Sequence, residues 1–227
     1  MDMLKEIQEF RRVLNTYSDC RDCGAVIADE NLRKPDILNP GRFRATCPLC
    51  GRETSRDPFP SESEKQLFEL MTELAELDKQ KHILVIVLIT VAHEILVTSF
   101  ILRLLERKYC PQDIYFAVED SMEFRSKLKL IKELTGKNLE QHANEFGFKN
   151  LYKEIEDLKA KRNAFVHEGV MHKLINKPVG TFTITEKAEL DEEDLKKAIG
   201  CAAKMVRFFS TLFTKYGKYE QPEMYEE

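Results

Sequence analysis

The sequence predicts a mainly α protein, a helical bundle with a small four-cysteine module at its N-terminus. Three observations carry this expectation. Beyond residue 60, apolar residues recur at three- and four-residue spacing through most of the chain, the pattern of helices that bury one face. Before residue 60 stand two Cys-x2-Cys-Gly knuckles, Cys20-Arg21-Asp22-Cys23-Gly24 and Cys47-Pro48-Leu49-Cys50-Gly51, separated by 23 residues. A length of 227 residues with 43% hydrophobic content suits one medium helical domain plus a small module. The expected division is residues 1–60, an N-terminal helix with a four-cysteine ribbon, and residues 61–227, the bundle.

Met1 to Thr16 places Leu4, Ile7, Phe10 and Leu14 at helical spacing with charges between them, so a helix capping a neighbour is expected. In the knuckles, four thiolates at this spacing give a closed tetrahedral site, and each glycine allows the tight turn that folds backbone amides toward sulfur. The module resembles a zinc ribbon, with Cys20, Cys23, Cys47 and Cys50 holding a structural zinc. A rubredoxin-like iron site uses similar knuckles, and a pair of disulfides or unliganded thiols is the bland reading. Around the cysteines, Arg33, Lys34, Arg42, Arg44, Arg52 and Arg56 offer a basic face for RNA or a partner, or else a solvated surface matched by nearby acids.

Thr54 to Pro60, with two prolines and no periodicity, reads as a linker. Ser61-Glu62-Ser63-Glu64 fits a capping box, and Leu67, Leu70, Met71, Leu74 and Leu77 form the stripe of the helix it starts. Ile83 to Leu105 is long and apolar enough to be tested as a membrane span. His93 and Glu94 interrupt its centre, where lipid penalises ionisable groups, so the central helix of the bundle is expected, and no membrane. Pro111 ends that region. Ser121 to Leu134 turns Phe124, Leu128, Ile131 and Leu134 inward with Gly136 as its stop, and Asn138 to Phe146 suits a short helix. Another helix runs from about Asn150 to Glu168. Val179 to Thr185 alternates, which suggests a short strand pair or an extended excursion. The final helix starts at Asp191 and packs the bundle shut with Leu195, Ile199, Ala202, Val206, Phe209 and Phe213; the acidic tail beyond Gly217 is expected to fray.

A net charge of -4 and a pI near 5.9 give no global attraction to nucleic acid, so any RNA binding must rely on a local patch. No signal peptide is evident in the mixed-charge start Met1-Asp2-Met3-Leu4-Lys5-Glu6, and the cytoplasm is the expected location. His82, His142 and His172 lack the spacing of a metal site, and no H-E-x-x-H, Walker loop or nucleophile elbow occurs. Cys110 and Cys201 read as small core residues.

One stretch breaks the pattern. Leu151, Ile155 and Leu158 mark one helix face, and continuing at about 100° per residue puts Arg162 in the middle of it. A guanidinium there needs a carboxylate, a dimer partner or an anionic ligand. Glu94, inside the apolar central helix, is the candidate partner for Arg162, or else it lies on that helix's exposed edge. His167 lies about 140° from Arg162 on the wheel, whereas Asn163 and His167 share a face. Either the helix ends or bends near Gly169, or a second copy of the chain across a two-fold axis brings them together; the two-fold arrangement is the expected one.

Arg162-Asn163-x-x-x-His167, late in a helical domain, resembles the R-x4-6-H signature of the HEPN family (higher eukaryotes and prokaryotes nucleotide-binding). The resemblance spans roughly Ser61 to Tyr216 and implies an α-helical bundle that dimerises, in many members a metal-independent endoribonuclease. It implies that Arg162 holds the scissile phosphate, His167 transfers protons and Asn163 supports them. It also implies an inhibitory partner protein and a role as a toxin or antiviral defence effector. Some family toxins carry a modified tyrosine two residues after the histidine, where this chain has Gly169. The competing expectation is a non-catalytic nucleotide- or RNA-binding or protein-interaction module. A third is a zinc-ribbon adaptor whose helical part only recruits a partner.

Overall fold

The computed structural model describes residues 3–28, 34–35, 43–76, 82–107, 112–168, 172–179 and 182–216. Helix α1 (Met3–Leu14) buries Ile7, Phe10, Val13 and Leu14, but Leu4, expected inward, is exposed. Val13 takes the fourth inward place instead. Five short strands follow: β1 (Tyr17–Cys20), β2 (Val26–Ala28), β3 (Lys34–Pro35), β4 (Phe43–Thr46) and β5 (Glu53–Phe59). They form one antiparallel sheet in the order β2-β1-β5-β4-β3.

The expected linker is therefore the middle strand of the sheet. Its period of two was hidden because the inward place is held by an arginine. Arg56 is fully buried, donating from Nε to Ser18 Oγ (2.6 Å) and from Nη2 to the Ser18 carbonyl (2.8 Å). That removes Arg56 from the expected basic face. Arg44 and Arg52 remain exposed, while Arg33 and Arg42 lie outside the described residues.

Helix α2 (Glu62–Glu76) starts with the expected capping box: the Ser61 amide donates to Glu64 Oε2 (2.7 Å), and the Glu64 amide to Ser61 Oγ (3.5 Å). Glu64 also accepts from Ser99 Oγ (2.8 Å) through its other oxygen, so the cap carboxylate pins α2 to the next helix. The buried stripe of α2 is Phe68, Met71, Thr72 and Ala75, turned one residue from the expected one, with Leu70 exposed and Leu77 outside the described residues. Helix α3 (His82–Arg107) is the hub, packing against α2 and four later helices. Ile83–Glu106 within it is long and apolar enough to cross a membrane by length and composition, and half of its apolar window is buried inside the fold.

Beyond Cys110 and Pro111, which lie outside the described residues, comes an element the pattern did not announce: α4 (Gln112–Phe116) running into a π-helical turn, Ala117–Ser121. The turn delays α5 (Phe124–Thr135) to Phe124. Ile131 of α5 is fully buried, and Gly136 ends the helix in the left-handed conformation, with φ at 80°. Helix α6 (Leu139–Glu145) begins at Asn138 with a capping box through Gln141. Helix α7 (Leu151–Glu168) is followed by a hairpin of β6 (His172–Val179) and β7 (Phe182–Glu189), centred earlier and longer than the expected strand pair. Helix α8 (Glu192–Tyr216) is capped by Asp191 and Asp194 and buries all six of its expected inward residues. It packs on α1, α3, α7 and β2, so residues 1–60 and 61–227 share one continuous core that includes Phe10, Val26, Phe59, Phe100 and Phe213. The acidic tail lies outside the described residues.

Candidate functional site

The two knuckles are built alike. In the first, the Gly24 amide donates to the Cys20 carbonyl (2.7 Å) and the Cys20 amide to the Ala25 carbonyl (2.9 Å). In the second, the Gly51 amide donates to the Cys47 carbonyl (2.8 Å) and the Cys47 amide to the Arg52 carbonyl (2.9 Å). Gly24 and Gly51 take φ of 67° and 72°, which a side chain would disfavour. Pairing of β1 with β5 then sets the knuckles face to face.

All four thiols are free of disulfides, and their sulfurs lie within 4.8 Å of one another. Four sulfurs at about 2.3 Å from one ion stand about 3.8 Å apart along a tetrahedron's edges. Here Cys20 and Cys50 Sγ are 3.9 Å apart, and Cys23 and Cys47 Sγ 3.7 Å, so the donor set fits a closed structural metal site. Burial pushes the Cys23 thiol up to about 12, whereas Cys47, against the same effect, is held down to about 7 by the Cys50 and Leu49 amides. A cation among them would draw off the remaining thiol protons.

Along α7 burial fades from one end to the other. Leu151, Ile155 and Leu158 are buried, Arg162 and Phe165 are half-buried, and Asn163, Val166 and His167 are exposed. Arg162 is thus no buried charge, although it continues the stripe, because the last turns of α7 leave the core. Its Nη2 stands 3.9 Å from Glu94 Oε1 on α3, with side-chain exposures of 32% and 39%. Both expectations for Glu94 hold in part: it partners Arg162, and it lies at the exposed edge. Asn163 Oδ1 accepts from Arg162 Nη1 (3.3 Å). His167 belongs to the final turn, on a different side from Arg162, so one chain brings together Arg162, Asn163 and Glu94 but leaves His167 apart.

His93, next to Glu94, faces the opposite way into a cluster of Phe124, Tyr152 and Phe209 rings. Burial, helped by the nearby Lys159 charge, pushes its imidazole down to about 3. It is therefore neutral at ordinary pH. Neither ring nitrogen has a hydrogen-bond partner among the described residues, and the buried Tyr152 hydroxyl is in the same state. Cys201 is buried as expected, its thiol pushed up to about 12 by burial.

Among the described residues, clefts open beside α7 and beside α3. One, of about 490 Å³ between α7 and α8, is lined by lysines that are already paired, Lys161 with Asp157 (2.6 Å) and Lys204 with Glu154 (2.6 Å). The other, of about 450 Å³, runs beside Glu94 between α3, the π-helical turn and α5. Lys127, which lines it, was missed in the sequence. The signal was present, since Lys127 stands three residues after Phe124 and four before Ile131, on the inward face of α5.

Comparison with protein-family models, curated sequences and solved structures finds no match to this chain.

Proposed function

We propose that the chain is a HEPN-type endoribonuclease that works as a homodimer and cleaves RNA by attack of the ribose 2'-hydroxyl. The observation that supports this best is the state of Arg162. Its guanidinium is oriented by Glu94 at 3.9 Å and Asn163 at 3.3 Å, yet a third of the side chain is exposed. A guanidinium held but not enclosed is available to grip a phosphate through two parallel N–H donors.

In this reading the 2'-oxygen attacks phosphorus as its proton leaves, the bond from phosphorus to the 5'-oxygen breaks, and that oxygen takes a proton. The products end in a 2',3'-cyclic phosphate and a 5'-hydroxyl. Arg162 offsets the charge that builds on the phosphorane. An imidazole serves as either acid or base near neutral pH, so His167 of each copy supplies one of the two proton transfers. A second copy is favoured because Arg162 and His167 diverge within one chain. The exposed Val166 beside His167, and the exposed Leu84 of α3, give such a copy apolar surface to cover. Chemistry at the scissile bond uses these side chains. The four-cysteine ribbon holds its ion, read as zinc rather than iron, for structure. An inhibitory partner and a setting in toxicity or defence follow from the family resemblance.

The rival is a binding module in which the same residues hold RNA without cutting it. The test is incubation of RNA with the wild-type chain and with Arg162→Ala and His167→Ala, their folding and dimer mass checked in parallel. Cleavage with cyclic-phosphate ends, lost in both variants, supports the nuclease; intact but bound RNA supports the rival.

A further inference from the structure

The cleft beside Glu94 contains a cation in an unusual setting. Lys127 is only 9% exposed. Its ammonium makes one hydrogen bond, to Thr98 Oγ1 at 3.1 Å, and no carboxylate pairs with it among the described residues. Thr98 is committed in turn, donating to the Glu94 carbonyl at 2.9 Å, so it serves as an anchor that aims the amine. An ammonium has three donors, which leaves two for whatever enters the cleft. A bound anion would give this cation the counter-charge that no described residue supplies.

The position of this amine gives it meaning. Thr98 lies one helical turn from Glu94 on α3, and Glu94 is the partner of Arg162. On α7, Lys159 stands one turn before Arg162 and places its ammonium 4.5 Å from the ring centroid of Phe124, at the start of α5. The cleft therefore runs from Glu94, the partner of Arg162, to Lys127. Ile95, Met122 and Phe124 supply apolar wall beside the amine. Glu119, on the π-helical turn, lines it as well and interrupts any continuous cationic track. Such turns are frequent at functional sites.

Resting on the nuclease reading, we infer that this cleft is the seat for a second phosphate of single-stranded RNA, a neighbour of the one at Arg162, with the Lys127 ammonium as its ligand. The apolar wall accepts the attached base or ribose without reading a particular sequence. Glu119 limits the seat to one phosphate and disfavours a duplex. The scissile site and this seat together set which stretch of strand is presented to His167.

The test uses the full-length His167→Ala chain, so that binding is measured without cleavage, with a short single-stranded RNA across a series of salt concentrations. Adding Lys127→Met is expected to weaken binding about tenfold or more and to lower the slope of log affinity against log salt by about 0.7. Lys127→Arg is expected to restore most of both. In the His167-intact chain, Lys127→Met should raise KM and leave kcat nearly unchanged. A purely structural lysine would not move the salt slope. Thermal melting of Lys127→Met should match or exceed that of the parent, because an apolar side chain of similar length replaces a half-satisfied charge. Equal affinity and equal slope in Lys127→Met overturn the seat while leaving cleavage by the wild type intact. Intact RNA with the wild type, but binding that still depends on Lys127, sinks the nuclease reading and keeps the seat. A change of dimer mass on Lys127→Met would assign the cleft to the contact between copies and overturn the seat, and absence of RNA binding by the His167→Ala chain overturns it too.

Discussion

Arg103 of the central helix forms an ion pair with Asp19, the residue immediately before the first knuckle cysteine, across 84 positions of sequence. Both side chains are largely covered, at 21% and 14% exposure. Arg103 also lies 6.0 Å from the Phe213 ring centroid, so the pair joins the ribbon, α3 and α8 at one point. Burial pushes the Asp19 carboxyl up, against the opposing pull of Arg103.

Removing Arg103 should therefore strand a covered carboxylate. Arg103→Met is expected to cost about 2–4 kcal/mol in urea unfolding, and adding Asp19→Asn should recover part of the loss. A change within about 0.5 kcal/mol, the range of ordinary surface substitutions, would show the pair to be incidental.

The metal site makes a second prediction. The purified chain should carry one equivalent of zinc, and X-ray absorption should give four sulfurs at about 2.3 Å. Chelation, or Cys47→Ser, should lower the unfolding temperature of the whole chain, because α1, β2 and β5 share the bundle's core. One equivalent of iron would correct the metal and keep the site. No bound metal at all would remove it.

His93 links stability to acid. The folded chain keeps its imidazole neutral down to about pH 3, whereas in the unfolded chain it takes a proton near its ordinary value of 6.5. Between those limits the unfolded state binds the extra proton. The contribution is therefore complete above about pH 6.5 and falls toward pH 3 by up to about 1.4 kcal/mol per pH unit. His93→Phe should flatten this part of the acid limb and be neutral or stabilising at pH 7, since it replaces unpartnered ring nitrogens with carbon. A parallel pH profile for the two chains would refute the assignment.

Two glycines should answer the same substitution with opposite signs. Gly136 caps α5 at φ 80°, and a Cβ there meets nothing within 4 Å, so Gly136→Ala isolates backbone strain at about 1 kcal/mol of lost stability. Gly200 lies inside α8 with equally open space, so Gly200→Ala should gain about 0.5–1 kcal/mol. Chemical denaturation of both variants checks the pair.

The knuckles, the capping box at Ser61 and the inward stripe of α8 were legible in the chain itself because each depends on neighbours a few residues away. A Cys-x2-Cys-Gly turn and a 3.6-residue period are local geometry, and no tertiary information is needed to see them. The same reasoning offered Glu94 either as the partner of Arg162 or as an exposed edge residue, and the structure shows it in both positions, 3.9 Å from Arg162 and 39% exposed. It misplaced Leu4 and Leu70, because which part of a broad apolar stripe becomes buried depends on where the neighbouring helix lies.

The strand at Glu53–Phe59, the ion pair of Asp19 with Arg103 and the lone amine of Lys127 were decided only by the tertiary structure. In each, a polar side chain is stabilised by a partner or surface far along the chain: Ser18 for Arg56, β1 for Arg103, the wall of α3 for Lys127. Local spacing determined where helices form and which cysteines converge. Burial of charge is settled by long-range packing, because the low-dielectric setting that makes a charge costly or useful exists only once distant segments have closed around it.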